Sequence, residues 1–301
     1  MRLRRLDSLS RDDVSLVGGK AANLGELSRF GASVPKGFVI PVPAHHQFVT
    51  QHLDQLKARV GVGISPDSDL HKYLINRPLD PKLSASMKKA FDTLSLTGAA
   101  VRSSATVEDS ARHSFAGIFG TELHVQACNL DMAVKACWLS AFSPRAVQYI
   151  GELRTDLLTW SMAVIVQEMV APDVSGVCFT RDPVSGKWDH LLIEAVLGLG
   201  DQLVSGRVTP DAYVFDKVRG SIVERSIATQ KQSTRFQNGM IAQVPVSPDV
   251  AASQKLTDHQ IRHIVTICES IEEHFGAPQD VEFAVTGDEL FLLQTRPITT
   301  T

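Results

Sequence analysis

Residues 279–297 read QDVEFAVTGDELFLLQTRP, two alternating runs on either side of Gly287 and Asp288, which is the pattern of a β-hairpin. Side chains on a strand alternate between faces. A sheet that buries Val281, Phe283, Val285, Phe291 and Leu293 therefore turns Asp280, Glu282, Ala284, Leu292, Gln294 and Arg296 the other way. A three-residue loop at 287–289 pairs Thr286 with Leu290, and so Glu282 with Gln294; a two-residue loop places those two on opposite faces. The residue pattern favours the three-residue loop. It sets a carboxylate, an amide oxygen and a guanidinium side by side. Oxygen donors suit Mg2+, which keeps several waters and bridges phosphates, and a planar guanidinium can clamp phosphate oxygens. A solvated polar strand face would show the same alternation.

Residues 16–31, LVGGKAANLGELSRFG, place two glycines and Lys20 ahead of a helical pattern carried by Leu24, Leu27 and Phe30, with Gly31 where a helix-ending glycine belongs. Gly18 and Gly19 leave backbone N–H groups unshielded beside the positive helix end, which suits an anion. The stretch is not a Walker A loop: Val14 stands where that motif needs glycine, and Ala21 follows the lysine. A plain loop with an exposed lysine reads equally well from these residues alone. Arg102 poses the same choice. It ends an apolar strand and is followed by Ser103, Ser104 and Thr106 in a loop whose hydroxyls and N–H groups could hold a polyphosphate.

The alternation of strand-like and helix-like segments indicates an α/β or α+β class, with a lobe boundary near residues 160–170. SVPKGFVIP reads as a strand, and Pro43 opens a helix carrying Phe48, Val49, Leu53 and Leu56. Residues 60–82 read as an irregular connection. Asp131 is expected to cap a long helical region interrupted near Pro144. MAVIVQEMV (162–170) reads as a buried central strand, with further strands at SGVCFT, HLLIEAV, AYVFDK and SIVERSIA. Thr257 and Gln260 form a capping box for a helix with Ile261, Ile264, Cys268, Ile271 and Phe275 inward, closed by Gly276.

Composition narrows the function. At 301 residues the chain can bury a large core, and its net charge of −3 gives no field for nucleic acid or anionic lipid. No window approaches a membrane span, and neither a signal nor a transit peptide is legible at the start. The four cysteines lack CxxC spacing, and three lie in apolar patterns, so buried thiols in the cytoplasm are the expectation.

Taken together, LVGGKAANLGEL, VPKGFVI, AVRSSATVEDS, SFAG, VQEMV, SGVCFTRDPVSG, GLGDQLVSGRVTPDAY and DVEFAV…LFLLQTRP occur in an order that resembles one family. It is the ATP-grasp nucleotide-binding domain of phosphoenolpyruvate synthase, pyruvate phosphate dikinase and rifampin phosphotransferase, and the resemblance spans residues 14–298. It implies an α+β, two-lobed ATP-grasp fold with ATP held between the lobes, the N-terminal lobe at 1–165 and the C-terminal lobe at 166–301. By match to the family's motifs, Lys20 and Arg102 contact the phosphates. The loop through Gly117 and Thr121 closes over the nucleotide. Glu168 and the backbone of Met169 and Val170 address adenine, with Gln167 nearby. Glu282 and Gln294 hold Mg2+, and Arg296 steadies the transferring group. Lys20, Arg102 and Arg296 would be the catalytic set.

The chain departs from the pattern in places. Relatives usually read SFAGQ with an acidic residue just before the threonine, whereas here Ile118, Phe119 and Gly120 lie between; Pro41 and Val42 replace the usual threonine pair after GFVI. Full-size relatives continue into a swivelling phosphohistidine domain and a substrate domain, and none of the ten histidines here has a Gly-Gly-x-x-Ser-His-like context. The implied activity is an ATP-dependent phosphotransferase whose acceptor is a histidine on a separate domain or a small molecule. The other readings are an ATP-grasp ligase working through an acyl phosphate and a non-catalytic nucleotide-binding regulatory domain.

Overall fold

The computed structural model describes residues 2–58, 62–106, 119–152, 160–237 and 240–298. The α+β class expected from the sequence is the one observed, and the chain divides into two compact units. The first comprises Met1–Arg29 and Lys36–Met169, the second Phe30–Pro35 and Val170–Thr301.

The first unit is a five-stranded antiparallel sheet in the order β1-β2-β5-β3-β4. In chain order its elements are β1 (Arg4–Arg5), α1 (Val14–Arg29), β2 (Gly37–Ile40), α2 (Val42–Gln51), α3 (Leu53–Lys57), α4 (Asp69–Ile75), α5 (Pro81–Thr93), β3 (Ala99–Ala105), β4 (Thr121–Val125), α6 (Leu130–Ser140), α7 (Pro144–Glu152) and β5 (Met162–Glu168). One sheet face, with Phe38, Ile40, Val101, Val164 and Val166, joins Phe48, Met87, Phe91 and Trp138 of the helices in the main apolar core. The other face, with Val39, Arg102, Ser104, Ile165 and Gln167, is the one α1 packs on. β5 runs unbroken through position 165, so the strand stays whole within this unit.

Several local expectations need correction. Residues 60–82 are not a continuous irregular stretch: α4 forms there, with the Ser68 side chain accepting His71 N–H. Asp131 lies inside α6 rather than capping it; Asn129 is at the cap position, and the Asp131 carboxylate is taken by Ser84 Oγ at 2.7 Å. β3 extends to Ala105, so Ser103 and Ser104 are fully buried strand residues and not loop hydroxyls open to a ligand.

The second unit holds β6 (Val174–Phe179), β7 (His190–Leu197), α8 (Asp201–Val204), β8 (Asp211–Asp216), β9 (Ser221–Ser226), β10 (Gln232–Gln237), β11 (Met240–Pro245), α9 (Pro248–Ala251), α10 (Asp258–Phe275), β12 (Gln279–Thr286) and β13 (Glu289–Pro297). Six of the strands form an antiparallel sheet, β13-β12-β6-β7-β8-β9, and β10 pairs with β11 in a separate hairpin that the sequence pattern does not announce. α10 begins with the expected Thr257–Gln260 capping box and ends at Gly276, whose φ of 69° is left-handed. Its Cys268 meets Cys178 of β6, which fixes the face α10 covers: the one with Val281, Phe283 and Ile193. Burial, and then the contact with Cys268, push the Cys178 thiol well up, so it stays protonated. Cys137, Cys178 and Cys268 are buried and free, as expected, while Cys128 is exposed. A buried ion pair, Lys255 to Asp211 at 2.9 Å, closes the base of the segment carrying β9 to α9, and Asp211 also accepts the Tyr213 hydroxyl. Among the described residues, no helix is long and apolar enough to cross a membrane.

Candidate nucleotide and metal site

In the second unit the hairpin keeps its anticipated pairing by an unanticipated route. The turn is the two-residue kind, with Thr286 opposite Glu289 and Gly287 at φ 58°. Val285 pairs with Leu290 and Phe283 with Leu292; then the register shifts, so that Glu282 faces Gln294 and Asp280 faces Arg296. The extra residue sits at Leu293 as a β-bulge and not in the turn. The core face is therefore Val281, Phe283, Val285, Leu290 and Leu292, all buried. Phe291 and Leu293, assigned to that face from alternation, are only half-buried, and Phe291 pairs with Ala284 on the polar side. Asp173 Oδ2 accepts Gly287 N–H at 3.0 Å, and Gln260 Nε2 donates to Gly287 O at 3.1 Å, so the turn is fixed at both backbone groups.

This face, opposite to α10, carries Glu282 and Gln294 as direct cross-strand neighbours. Arg296 lies one pair further on, its Nε at 2.7 Å and a terminal nitrogen at 2.6 Å from Asp280 Oδ2. Burial pushes the Asp280 carboxyl up, against the pull of Arg296. Glu194 of β7 lies on the same face, in the row Glu282–Val177–Glu194, and is raised by burial and then by the Asp280 charge. Sequence reasoning does not single out Glu194. Its one signal is a lone acid interrupting the apolar run HLLIEAV. A carboxylate and an amide oxygen facing each other fit a hard cation that also takes water and phosphate oxygens. Among the described residues, no group of three His, Cys, Asp or Glu could hold an ion unaided.

In the first unit, Arg102 of β3 is opposite Thr121 of β4 on one side and Ile165 of β5 on the other. Gln167, 1% exposed, is one pair along on the same face, opposite Ala100 and Gly37. Three expected residues thus share the face on which α1, the helix of Lys20, is packed. Gly18 breaks α1 with φ 76° and ψ 165°, so the helix proper starts at the Gly19–Lys20 step. Gly117 and Ile118 lie outside the described residues; Phe119 is buried in the core.

The expected adenine segment straddles the division of the chain, with Gln167, Glu168 and Met169 in the first unit and Val170 beginning the second. Glu168 N–H donates to Lys36 O at 2.8 Å and Met169 N–H to Gly98 O at 3.0 Å. The Glu168 carboxylate pairs with Lys36 Nζ at 3.4 Å. Of the two residues whose backbone is expected to meet adenine, Met169 therefore has its N–H already engaged.

Comparison with known proteins gives the chain a family. Residues 14–301 match the family model described as pyruvate phosphate dikinase, AMP/ATP-binding domain. A probable phosphoenolpyruvate synthase of Archaeoglobus fulgidus is 38% identical, covering 98% of this chain and 41% of its own length. A rifampicin phosphotransferase of Streptomyces sviceus is 36% identical over 98% of this chain and 35% of its own. The chain thus spans less than half the length of these relatives. Among solved structures, a D-alanine–D-alanine ligase from Helicobacter pylori covers 73% of this chain and 47% of its own at 12% identity, with a TM-score of 0.34, too slight a likeness to argue from.

Proposed function

The chain belongs to the pyruvate phosphate dikinase AMP/ATP-binding domain family, and from that premise we propose that it binds Mg-ATP and acts as an ATP-dependent phosphotransferase. The observation that carries the reading is the pairing of Glu282 with Gln294 beside the Arg296–Asp280 ion pair. Phosphoryl transfer asks mainly for positioning and charge neutralisation. Glu282 and Gln294 hold Mg2+, which when bound neutralises phosphate charge. Arg296, kept in place by Asp280, faces the transferring group. Lys20 and Arg102 take the remaining phosphate charge, with Thr121 beside Arg102 on the neighbouring strand. Adenine meets Gln167, the Glu168 carbonyl and Val170 N–H, since Glu168 and Met169 N–H are already engaged.

The acceptor is a histidine of a separate domain or a small molecule, and the products tell them apart. AMP and phosphate mark the first, ADP and a modified acceptor the second. Tight ATP binding with no turnover under any condition marks a regulatory domain. Calorimetric titration with ATP, with and without Mg2+, tests the common core: binding that tightens with Mg2+ is expected, and no binding in either case removes the reading.

A further inference from the structure

An α-helix leaves its first N–H groups without intrahelical partners, and the residue before the first turn usually supplies a side-chain acceptor to the third. In α1 that residue is Gly18, which has no side chain to offer. The acceptor comes instead from 83 residues away: Ser104 Oγ of β3 takes Ala21 N–H at 3.1 Å. Ser104 is fully buried, two residues beyond Arg102 on the same sheet face. The fit is close on both sides, for a Cβ on Gly18 would lie 2.2 Å from Ser104 O and 2.4 Å from its Oγ. The neighbouring Ser103 is equally buried but faces the apolar core, and its Oγ has no partner among the described residues. Two adjacent serines of equal burial thus do different things.

We propose that Ser104 is a positioning residue for phosphate binding: it caps α1 from the strand, so that Lys20 is carried at a fixed offset from Arg102. The proposal rests on the nucleotide reading above and adds to it a residue that touches no ligand. With Ser104 in place, the two cations belong to one rigid block. Without it, the turn bearing Lys20 can lift from the strand while the sheet keeps Arg102 where it is.

The test compares Ser104→Ala with Ser103→Ala in the full chain, by calorimetric binding of ATP and of adenosine and by hydrogen exchange at the Ala21 amide. Loss of a helix cap corresponds to about a fivefold effect. Ser104→Ala should therefore weaken ATP about fivefold or more, leave adenosine within twofold, and speed exchange at Ala21; Ser103→Ala should do none of these. Should Ser104→Ala fold poorly, Ser104→Cys keeps the volume with a weaker acceptor and carries the same expectation. Equal ATP affinities in the two alanine variants, or equal losses of ATP and adenosine in Ser104→Ala, would overturn the role. If the wild-type chain binds no ATP, the nucleotide reading falls and the role with it. Exchange at Ala21 would then still report separately whether the cap exists.

Discussion

The β12–β13 hairpin and the Gly18–Lys20 turn both bring polar groups to a surface, by opposite means. In the hairpin, alternation does the work: burying Val281, Phe283 and Val285 on one face presents Glu282 on the other, and neighbours in register complete the set. In the turn, nothing local suffices. The glycine exists to let a distant strand approach, and the strand returns a hydroxyl that the turn lacks. A site of the first kind tolerates change in its polar residues without loss of fold. One of the second kind joins fold and site at the same atoms.

Paired substitutions in the hairpin give the largest separation. Glu282→Gln should abolish Mg2+-dependent ATP consumption and barely move the unfolding temperature, because an amide lacks the charge that favours the hard cation. Phe283→Ala should instead cost roughly 3–5 kcal/mol of stability through a core cavity, read by denaturant titration. A Glu282→Gln protein that consumes ATP normally would show that this acid is only a solvated strand residue. In the first unit, Lys20→Ala and Arg102→Ala should weaken ATP by roughly tenfold or more, at about 1.5–3 kcal/mol per charged contact, with adenosine held within a few fold in the same titrations.

Acid should find the first unit as well. His45 is 1% exposed, packs on Trp138, and has no hydrogen-bond partner for either ring nitrogen among the described residues. Burial, and then the nearby His46, lower its pKa from 6.5 to about 3. The folded state therefore holds the neutral ring. Its contribution is complete above pH 6.5 and is lost as the pH falls from 6.5 toward 3, by about 1.4 kcal/mol per pH unit. Urea unfolding between about pH 7 and 5 should show that slope, and His45→Leu should remove it. The smallest effect belongs to the hairpin turn. Gly287 has φ 58° and nothing within 4 Å of where an added methyl would stand, so Gly287→Ala should cost only the strain of its backbone, about 1–2 kcal/mol. Gly18→Ala, with φ 76° and a backbone oxygen 2.2 Å away, should cost more than that by thermal unfolding.

The same contrast explains what the sequence could disclose. The capping box of α10, the strands from β5 to β8 and the facing of Glu282 and Gln294 follow from spacing within one segment, and were legible. The bulge was not. Moving one extra residue from the turn to Leu293 preserves the pairing of Glu282, but it exchanges Phe291 and Leu293 for Leu290 and Leu292 on the core face. Gly287–Asp288 suits a two-residue turn, and that preference displaced the irregularity along the strand. The β10–β11 hairpin escapes notice because QSTRFQ has no apolar alternation to mark it. Ser104 reads as a loop hydroxyl because its partner, Ala21, is far away in sequence. Asp280 and Glu194 carry too little local pattern to be set apart from ordinary polar strand positions.

The short segment Phe30–Pro35, assigned to the second unit while the chain on both sides of it belongs to the first, matters to anyone wishing to divide the molecule. Ser33 O accepts Leu292 N–H of β13 at 2.8 Å, and the Phe30 ring packs tilted against His274, centroids 4.8 Å apart. No single cut in the gene therefore yields two self-contained halves. A fragment ending at Met169 takes the strap with it, and one beginning at Val170 is left with a bare outer strand, the kind of edge that recruits other chains. Produced together, the two fragments should reassemble, since the first retains a piece that the second needs. Produced apart, the carboxy-terminal fragment should be the one that aggregates.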